Sequence, residues 1–414
     1  MPLGFGSGTR RAAANTAASG GSGIGLLGGA FGGDPLSTGN PIGTLEYTLE
    51  APQGSGDTNY YDWFGWDMRF TPDGTRLVVS QRYGDEGSSQ TKGSVHCYDA
   101  TDGTLEWSFY GDNIGDRLGS DVAVTNNYVY VTSPYWDYTS YTTVGKFTAI
   151  NINNGTEAWS RSPVNNTSDL GNPFKNQRFA WGIAANPSDD GVVVYKVSGD
   201  QLCYYDSSGN LEGTRSSAVG TGSLVLHMSA NSSNIMTSYD AYDRARVFTW
   251  SRSYVGELTK PSGYSTFGDL NAISNNYIAV SDQGWSSSRG RITLYDASTR
   301  NFVRNINNPE TSNTLFASDS SNALDVYEDL FLIAGAWQSD PSSISNAGKA
   351  FLFDPSDGST LATVTSPNAA SNGYYGMSTV VTRHRFAVGA PGEATSGSGG
   401  TKNAGRVYVY STGE

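Results

Sequence analysis

Seven stretches of this chain are built alike. They are Gly93-Ser-Val-His-Cys-Tyr-Asp99, Gly145-Lys-Phe-Thr-Ala-Ile-Asn151, Gln201-Leu-Cys-Tyr-Tyr-Asp206, Arg246-Val-Phe-Thr-Trp250, Gly290-Arg-Ile-Thr-Leu-Tyr-Asp296, Gly348-Lys-Ala-Phe-Leu-Phe-Asp354 and Gly405-Arg-Val-Tyr-Val-Tyr410. In each unit a short aromatic or apolar strand comes first. A β-branched strand follows a tight turn, the stretch above forms the third strand, and a Gly-Thr-Leu-like segment opens what comes next. A period of about 40–60 residues with several strands per unit specifies an all-β fold, a seven-bladed β-propeller. Function in such a platform lies in the loops grafted onto it.

Lettering the strands A (innermost) to D (outermost), A strands are predicted at Phe64–Phe70, Leu118–Val124, Ser223–Met228 and Phe267–Ile273. B strands are predicted around Leu77–Ser80, Tyr128–Thr132, Val192–Tyr195, Asn234–Ser238, Tyr277–Val280, Leu330–Ile333 and Phe386–Gly389, and D strands around Thr104–Phe109, Thr156–Trp159, Asn210–Gly213, Tyr254–Leu258 and Thr360–Val364. Asp-Gly and Asn-Gly turns join many of them. The chain stops after a C strand, and an orphan D-like strand, Gly43-Thr-Leu-Glu-Tyr-Thr-Leu49, stands before the first blade. Pairing that strand with Arg406–Tyr410 completes the last blade and closes the ring, which removes an unpaired seam. The reading therefore has two parts: residues 43–414 are the propeller, and residues 1–42, rich in Gly, Ala and Ser, form a flexible assembly arm too poor in apolar surface to offset its ordering entropy.

The formal net charge is −13, from 39 acidic and 26 basic residues. That argues against nucleic acid as a partner, which needs a basic stripe. No run approaches the roughly 20 apolar residues of a membrane-spanning helix, so no membrane insertion is expected. The stretch Ile24–Phe31 is short and broken by glycine, a poor signal-peptide core. Cys97 and Cys203 fall on third strands of the first and third units, a blade apart, so two free thiols are expected.

Phe386-Ala-Val-Gly-Ala-Pro391 with Gly405–Tyr410 resembles the repeats of integrin-like (FG-GAP) propellers, and Phe64-Gly65, Phe267-Gly268 and Tyr375-Gly376 look like the Phe-Gly of that motif. Thr104–Trp107 and Thr156–Trp159 are more similar to quinoprotein-type (PQQ-like) repeats. Together these resemblances span about residues 43–414. The integrin-like family often holds calcium in Asp-x-Asp-x-Asp-Gly turns. Thr71-Pro-Asp-Gly74 and Asp189-Asp190-Gly191 depart from that pattern, so no metal is expected there. The opening Met1-Pro-Leu-Gly-Phe-Gly6 resembles the starts of virion structural proteins of marine tailed phages, which implies a particle component whose arm threads into neighbours.

His96, His227 and His384 lie on three different blades without metal-ligand spacing, and no nucleophile elbow, Walker loop or dinucleotide fingerprint occurs in a strand–helix setting. No cofactor is expected. Asp62, Asp67 and Asp121 lie at or near A strands and face the channel; they serve either a glycosidase-like pair or, more simply, backbone groups and water.

The long insertions fall between B and C or between D and A, connections that emerge on one face. They carry Tyr60, Tyr61, Trp63, Tyr83, Tyr135, Trp136, Tyr138, Tyr141, Trp285 and Trp337. Mixed with Ser, Asn and Asp, such rings suit sugar stacking or a protein partner; they also suit packing against one another. The expectation is a non-enzymatic structural or adhesion component of a virion, oligomeric within its assembly. Pro2, Leu3, Phe5, Leu26, Leu27 and Phe31 of the arm engage other virion proteins, and the loop face meets a host glycan or protein. The alternatives are a cell-surface or secreted bacterial adhesin, and a quinoprotein-like or glycan-cleaving enzyme, which a close carboxylate pair in the channel would favour.

Overall fold

The aspartate that ends most third strands is a turn cap. Asp99, Asn151, Asp206, Asp296 and Asp354 each accept, through the side-chain oxygen, the backbone N–H two residues on, at 2.7, 2.9, 2.9, 3.0 and 2.8 Å. This Asx turn reverses the chain into the outer strand. The computed structural model describes residues 34, 36–52, 62–84, 92–138, 142–163, 178–216, 218, 227–239, 243–262, 266–312, 314–318, 322–395 and 404–414. The arm residues Pro2, Leu3, Phe5, Leu26, Leu27 and Phe31, and the loop residues Tyr60, Tyr61 and Tyr141, lie outside these.

Among the described residues, 28 strands form seven four-stranded antiparallel sheets. After β1 (Leu45–Glu50), blade 1 holds β2 (Phe64–Phe70), β3 (Arg76–Gln81), β4 (Ser94–Asp99) and β5 (Leu105–Tyr110). Blade 2 holds β6 (Val122–Val124), β7 (Tyr128–Ser133), β8 (Lys146–Asn151) and β9 (Glu157–Arg161); blade 3, β10 (Phe179–Ala185), β11 (Val192–Lys196), β12 (Gln201–Tyr205) and β13 (Leu211–Ser216). Blade 4 holds β14 (His227–Ala230), β15 (Asn234–Tyr239), β16 (Arg244–Thr249) and β17 (Tyr254–Glu257); blade 5, β18 (Phe267–Ile273), β19 (Tyr277–Asp282), β20 (Arg291–Asp296) and β21 (Phe302–Asn307). Blade 6 holds β22 (Leu324–Tyr327), β23 (Phe331–Ala336), β24 (Lys349–Phe353) and β25 (Thr360–Thr365); blade 7, β26 (Ser378–Val381), β27 (Arg385–Ala390) and β28 (Arg406–Ser411). The fourth unit is thus a true blade. Of its predicted A strand, Ser223–Met228, the described residues His227 and Met228 lie in a strand that runs to Ala230, and the rest of that prediction lies outside the described residues.

The first strand completes the last blade. β1 pairs antiparallel with β28, setting Leu45 opposite Tyr410, Tyr47 opposite Val409 and Leu49 opposite Val407. Two ion pairs clamp the seam: Arg385 to Glu46 at 2.7 Å, with both side chains buried, and Arg406 to Glu50 at 2.8 Å. Residues 36–42, which composition places in the arm, also bond to blade 7. Ser37 Oγ donates to the Glu414 carbonyl (3.1 Å), and Arg385 Nη1 donates to that of Leu36 (3.0 Å). The propeller unit spans Leu36–Glu414.

Seven apolar clusters fill the seven junctions between adjacent blades. Phe64, Leu77, Val407 and Val409 join blades 7 and 1, and Phe331, Ile333, Phe386 and Tyr408 join blades 6 and 7. The glycine that opens many C strands lies against a neighbour's backbone. A Cβ on Gly93, Gly145, Gly348 or Gly405 would stand 2.2, 2.1, 1.9 or 2.2 Å from the carbonyl oxygen of Leu118, Phe179, Tyr375 or Phe64 on the next blade. The outer-strand aromatics bracket the same junctions from outside. Trp107 Nε1 donates to the Ile152 carbonyl (2.7 Å), Trp159 Nε1 to that of Ser207 (2.9 Å) and Tyr47 Oη to that of Ala100 (2.7 Å). Both free cysteines are buried, on blades 1 and 3.

Under the blade 7 B–C loop, Glu393 is 1% exposed and accepts the Tyr408 hydroxyl. Burial raises its carboxyl to about 7. The folded protein therefore keeps a proton that the unfolded chain, with an ordinary carboxyl near 4.5, gives up. The stability from this site is present below pH 4.5 and is lost as pH rises through 7, by about 3 kcal/mol in all. Glu393→Gln is expected to abolish that component, so denaturant melts of the two proteins should diverge between these pH values. A difference that does not vary with pH would contradict it.

Candidate functional site

Several blades hold a residue on the way into the A strand in left-handed backbone: Trp63 (φ 56°) and Arg178 (47°) immediately before it, and Arg117 (53°), Leu315 (49°) and Tyr374 (55°) further upstream. Such a conformation costs a non-glycine residue about 1–2 kcal/mol. It is held because the next N–H turns to the preceding blade. Phe64, Leu118, Phe179 and Tyr375 donate to the carbonyls of Ala404, Lys92, Val144 and Ala347, at 2.9–3.1 Å. The A strands also bulge after this point, with register breaks between Phe64 and Met68, Phe179 and Ile183, and Phe267 and Asn271. Bulges re-aim side chains. In blade 2 the irregular part replaces strand altogether: the predicted Leu118–Val124 is a strand only over Val122–Val124.

These two distortions assemble a ladder across blades 1 to 3. Trp63 stacks on Trp66 (centroids 5.0 Å apart) and meets Tyr83 edge-on (5.7 Å). The Arg82 guanidinium lies 4.6 Å from the Trp66 ring and 5.5 Å from Tyr83. Arg117 lies 5.2 Å from Tyr83 and 4.2 Å from Tyr135. Tyr135 contacts Trp181 (6.0 Å), which carries Arg178 at 5.2 Å. All eight are half-buried. Burial lowers the Arg82 pKa, and the neighbouring Arg117 charge lowers it further.

Of the predicted face residues, the ladder unites Trp63, Tyr83 and Tyr135. Trp136 and Tyr138 form their own pair (5.9 Å) in the blade 2 B–C loop. Trp285 sits on blade 5 beside Arg289 and Arg291 (5.9 and 5.1 Å), and Trp337, 9% exposed, packs edge-on against Tyr374 (5.4 Å). Sequence reasoning missed Trp66, Trp181 and the three arginines. Aligning the residue before each Phe-Gly-like pair, which gives Trp63, Arg117 and Arg178, would have found the repeated position.

The channel holds the carboxylates. Asp67 accepts from Met68 N–H and Arg69 through Oδ1 (both 2.8 Å), and from Val122 N–H of the next blade through Oδ2 (2.8 Å). Asp121 repeats the pattern with Val122 (2.9 Å) and Ile183 of blade 3 (3.0 Å), and Asp325 with Val326 and Val381 of blade 7 (both 2.9 Å). These aspartates stitch inner strands together. Asp121 also hydrogen-bonds Asp67; burial, then the Asp67 charge, raises its carboxyl well above the usual range. A close carboxylate pair therefore exists, but each of its oxygens already accepts a backbone N–H. Asp62 is buried at the start of blade 1, where its carbonyl accepts Tyr83 N–H. Beside the stitches a cavity of about 200 Å³ is lined by Arg69, Met228, Asn271, Asn322 and Asp325, with His227 held neutral by burial.

Residues 91–388 match the family model described as outer membrane protein assembly factor BamB. The chain belongs to this family. Among solved structures it is similar to BamB from Moraxella catarrhalis, at 11% identity, covering 89% of this chain and 97% of that one with a TM-score of 0.46. No curated protein matches it. The BamB-family match agrees with the quinoprotein-type resemblance of Thr104–Trp107 and Thr156–Trp159, whose tryptophans are the inter-blade brackets. The channel does not fit an anionic quinone cofactor: among the described residues it presents Asp67, Asp121 and Asp325, with the Arg69 guanidinium already paired with Asp67 at 2.8 Å.

Proposed function

We propose that this protein is a non-enzymatic docking platform in a larger protein assembly, and that it meets its partner through the arginine and aromatic ladder of blades 1 to 3. The ladder carries the reading: half-buried aromatics and arginines are the residue types that anchor protein interfaces. The family's description as an assembly factor supports a protein partner, and the full engagement of Asp67 and Asp121 supports a structural role for the carboxylates. The assembly is a phage particle, and residues 1–42 attach the propeller to it; the Met1–Gly6 opening supports this. A second reading, a scaffold in a bacterial envelope, is favoured by the outer-membrane wording of the family description.

Mass spectrometry of purified particles and of host envelope fractions separates the two. The protein should be recovered with particles, and removal of residues 1–35 should deplete it there. Recovery in the envelope fraction alone would overturn the particle reading. In either setting Tyr135→Ala, which removes the central rung, should lower partner capture about tenfold or more. Unchanged capture would overturn the docking reading.

A further inference from the structure

Resting on that docking reading, we propose that Arg82 and Arg117 form a carboxylate-binding pair, and that the segment they hold is an acidic, extended stretch of a protein partner. A guanidinium stacked on a ring still presents its N–H edge, which matches a carboxylate in two parallel hydrogen bonds. Both arginines lie against rings, and Arg82 also hydrogen-bonds Tyr135. Neither they nor Arg178 belong to any ion pair among the described residues. The arginines beside Trp285 differ: Arg289 donates to the Glu310 carbonyl (2.7 Å), and Arg291 stands 3.8 Å from Asp282. Arg82 Nε is buried with no acceptor.

Arg82 and Arg117 both lie on Tyr83, so their guanidiniums are at most about 11 Å apart, and the Arg117 charge disfavours that of Arg82. An arriving carboxylate relieves that repulsion. Three arginines gather in this ladder within a chain of net charge −13, and they are the groups that would draw an acidic segment to it.

The faces of Trp66, Tyr83, Tyr135 and Trp181 already carry guanidiniums, which leaves N–H edges rather than open rings for a ligand. That favours carboxylates over the stacking of sugar rings. The track from Arg82 to Arg178 measures at most about 26 Å along its contacts. An extended peptide covers that in about eight residues and presents alternate side chains to one face about 7 Å apart.

The test uses the full-length protein and fluorescence anisotropy with an octapeptide alternating glutamate and serine. Its glutamine counterpart and an oligogalacturonate serve as competitors. The glutamate peptide should bind and weaken with added salt, and Arg82→Gln/Arg117→Gln should lower its affinity about tenfold or more. The double lysine variant, which keeps the charge but loses the fork, should bind weakly too; thermal melts of both variants confirm the fold. Equal binding of the glutamine peptide, or full affinity in the double glutamine variant, overturns the proposal. Tighter binding of the oligogalacturonate overturns the peptide assignment. If Tyr135→Ala abolishes partner capture while the double glutamine variant captures normally, the docking face stands and the carboxylate pair falls. Normal capture by both removes the docking reading itself.

Discussion

Replacing Gly348 with alanine is expected to destabilise the ring by about 4 kcal/mol. The new methyl would stand 1.9 Å from the Tyr375 carbonyl oxygen, and the backbone there has φ 85°. Neither neighbour is free to move: Gly348 N–H bonds to the Ser339 carbonyl (2.9 Å) and Tyr375 N–H to that of Ala347 (3.1 Å). The clash therefore falls between two backbones that define the blade 6–7 junction. Gly256, on the outer strand of blade 4, has nothing within 4 Å of an added Cβ. Gly256→Ala should change stability by no more than about 0.5 kcal/mol. Denaturant melts of the two variants decide the matter, and similar midpoints would refute the account of the C-strand glycines.

Truncation should show a step, with full stability up to one boundary and collapse beyond another. Removal of residues 1–35 leaves β1, both seam ion pairs and the contacts of residues 36–42 in place, so its melt should match that of the whole chain. Removal of residues 1–50 takes away Glu46 and leaves the buried Arg385 guanidinium without its carboxylate. Stranding a buried charge costs about 3–5 kcal/mol. The same deletion takes Leu49 out of the core between blades 7 and 1 and bares the edge of β28. Loss of cooperative melting or of soluble protein is expected; a shorter chain that melts like the parent would contradict the seam. Glu46→Ala isolates the charge and should account for much of the loss.

The ring closure was legible because a strand-like Thr-Leu-Glu-Tyr-Thr-Leu stood unpaired before the first blade, and the last blade lacked an outer strand. Strand pairing follows from alternation and turn chemistry, both of which are local. The C-strand glycines were visible as a pattern, but their role was not. Their clash partners lie on the next blade, a contact no local pattern reports. The ladder was only half legible. Trp63, Tyr83 and Tyr135 stood in loops, where aromatics draw notice. Trp66 and Trp181 lay within strand-like runs, and nothing in those runs announced the bulges that turn them to the rim. The arginines were lost in a net charge of −13, because a sum over the chain hides where the charges fall.

The seam also orders the protein's birth. β1 is synthesised before the other described strands of the ring, and its partner, β28, after them. Until Arg406–Ser411 is made, Leu49 has no sheet to join, and Glu50 has no Arg406 to pair with. Blades 1 to 6 can stack as they emerge, each on the one before, while the ring stays an open crescent. Completion of the circle is then a single late event spanning nearly the whole chain, the slowest kind of contact to form.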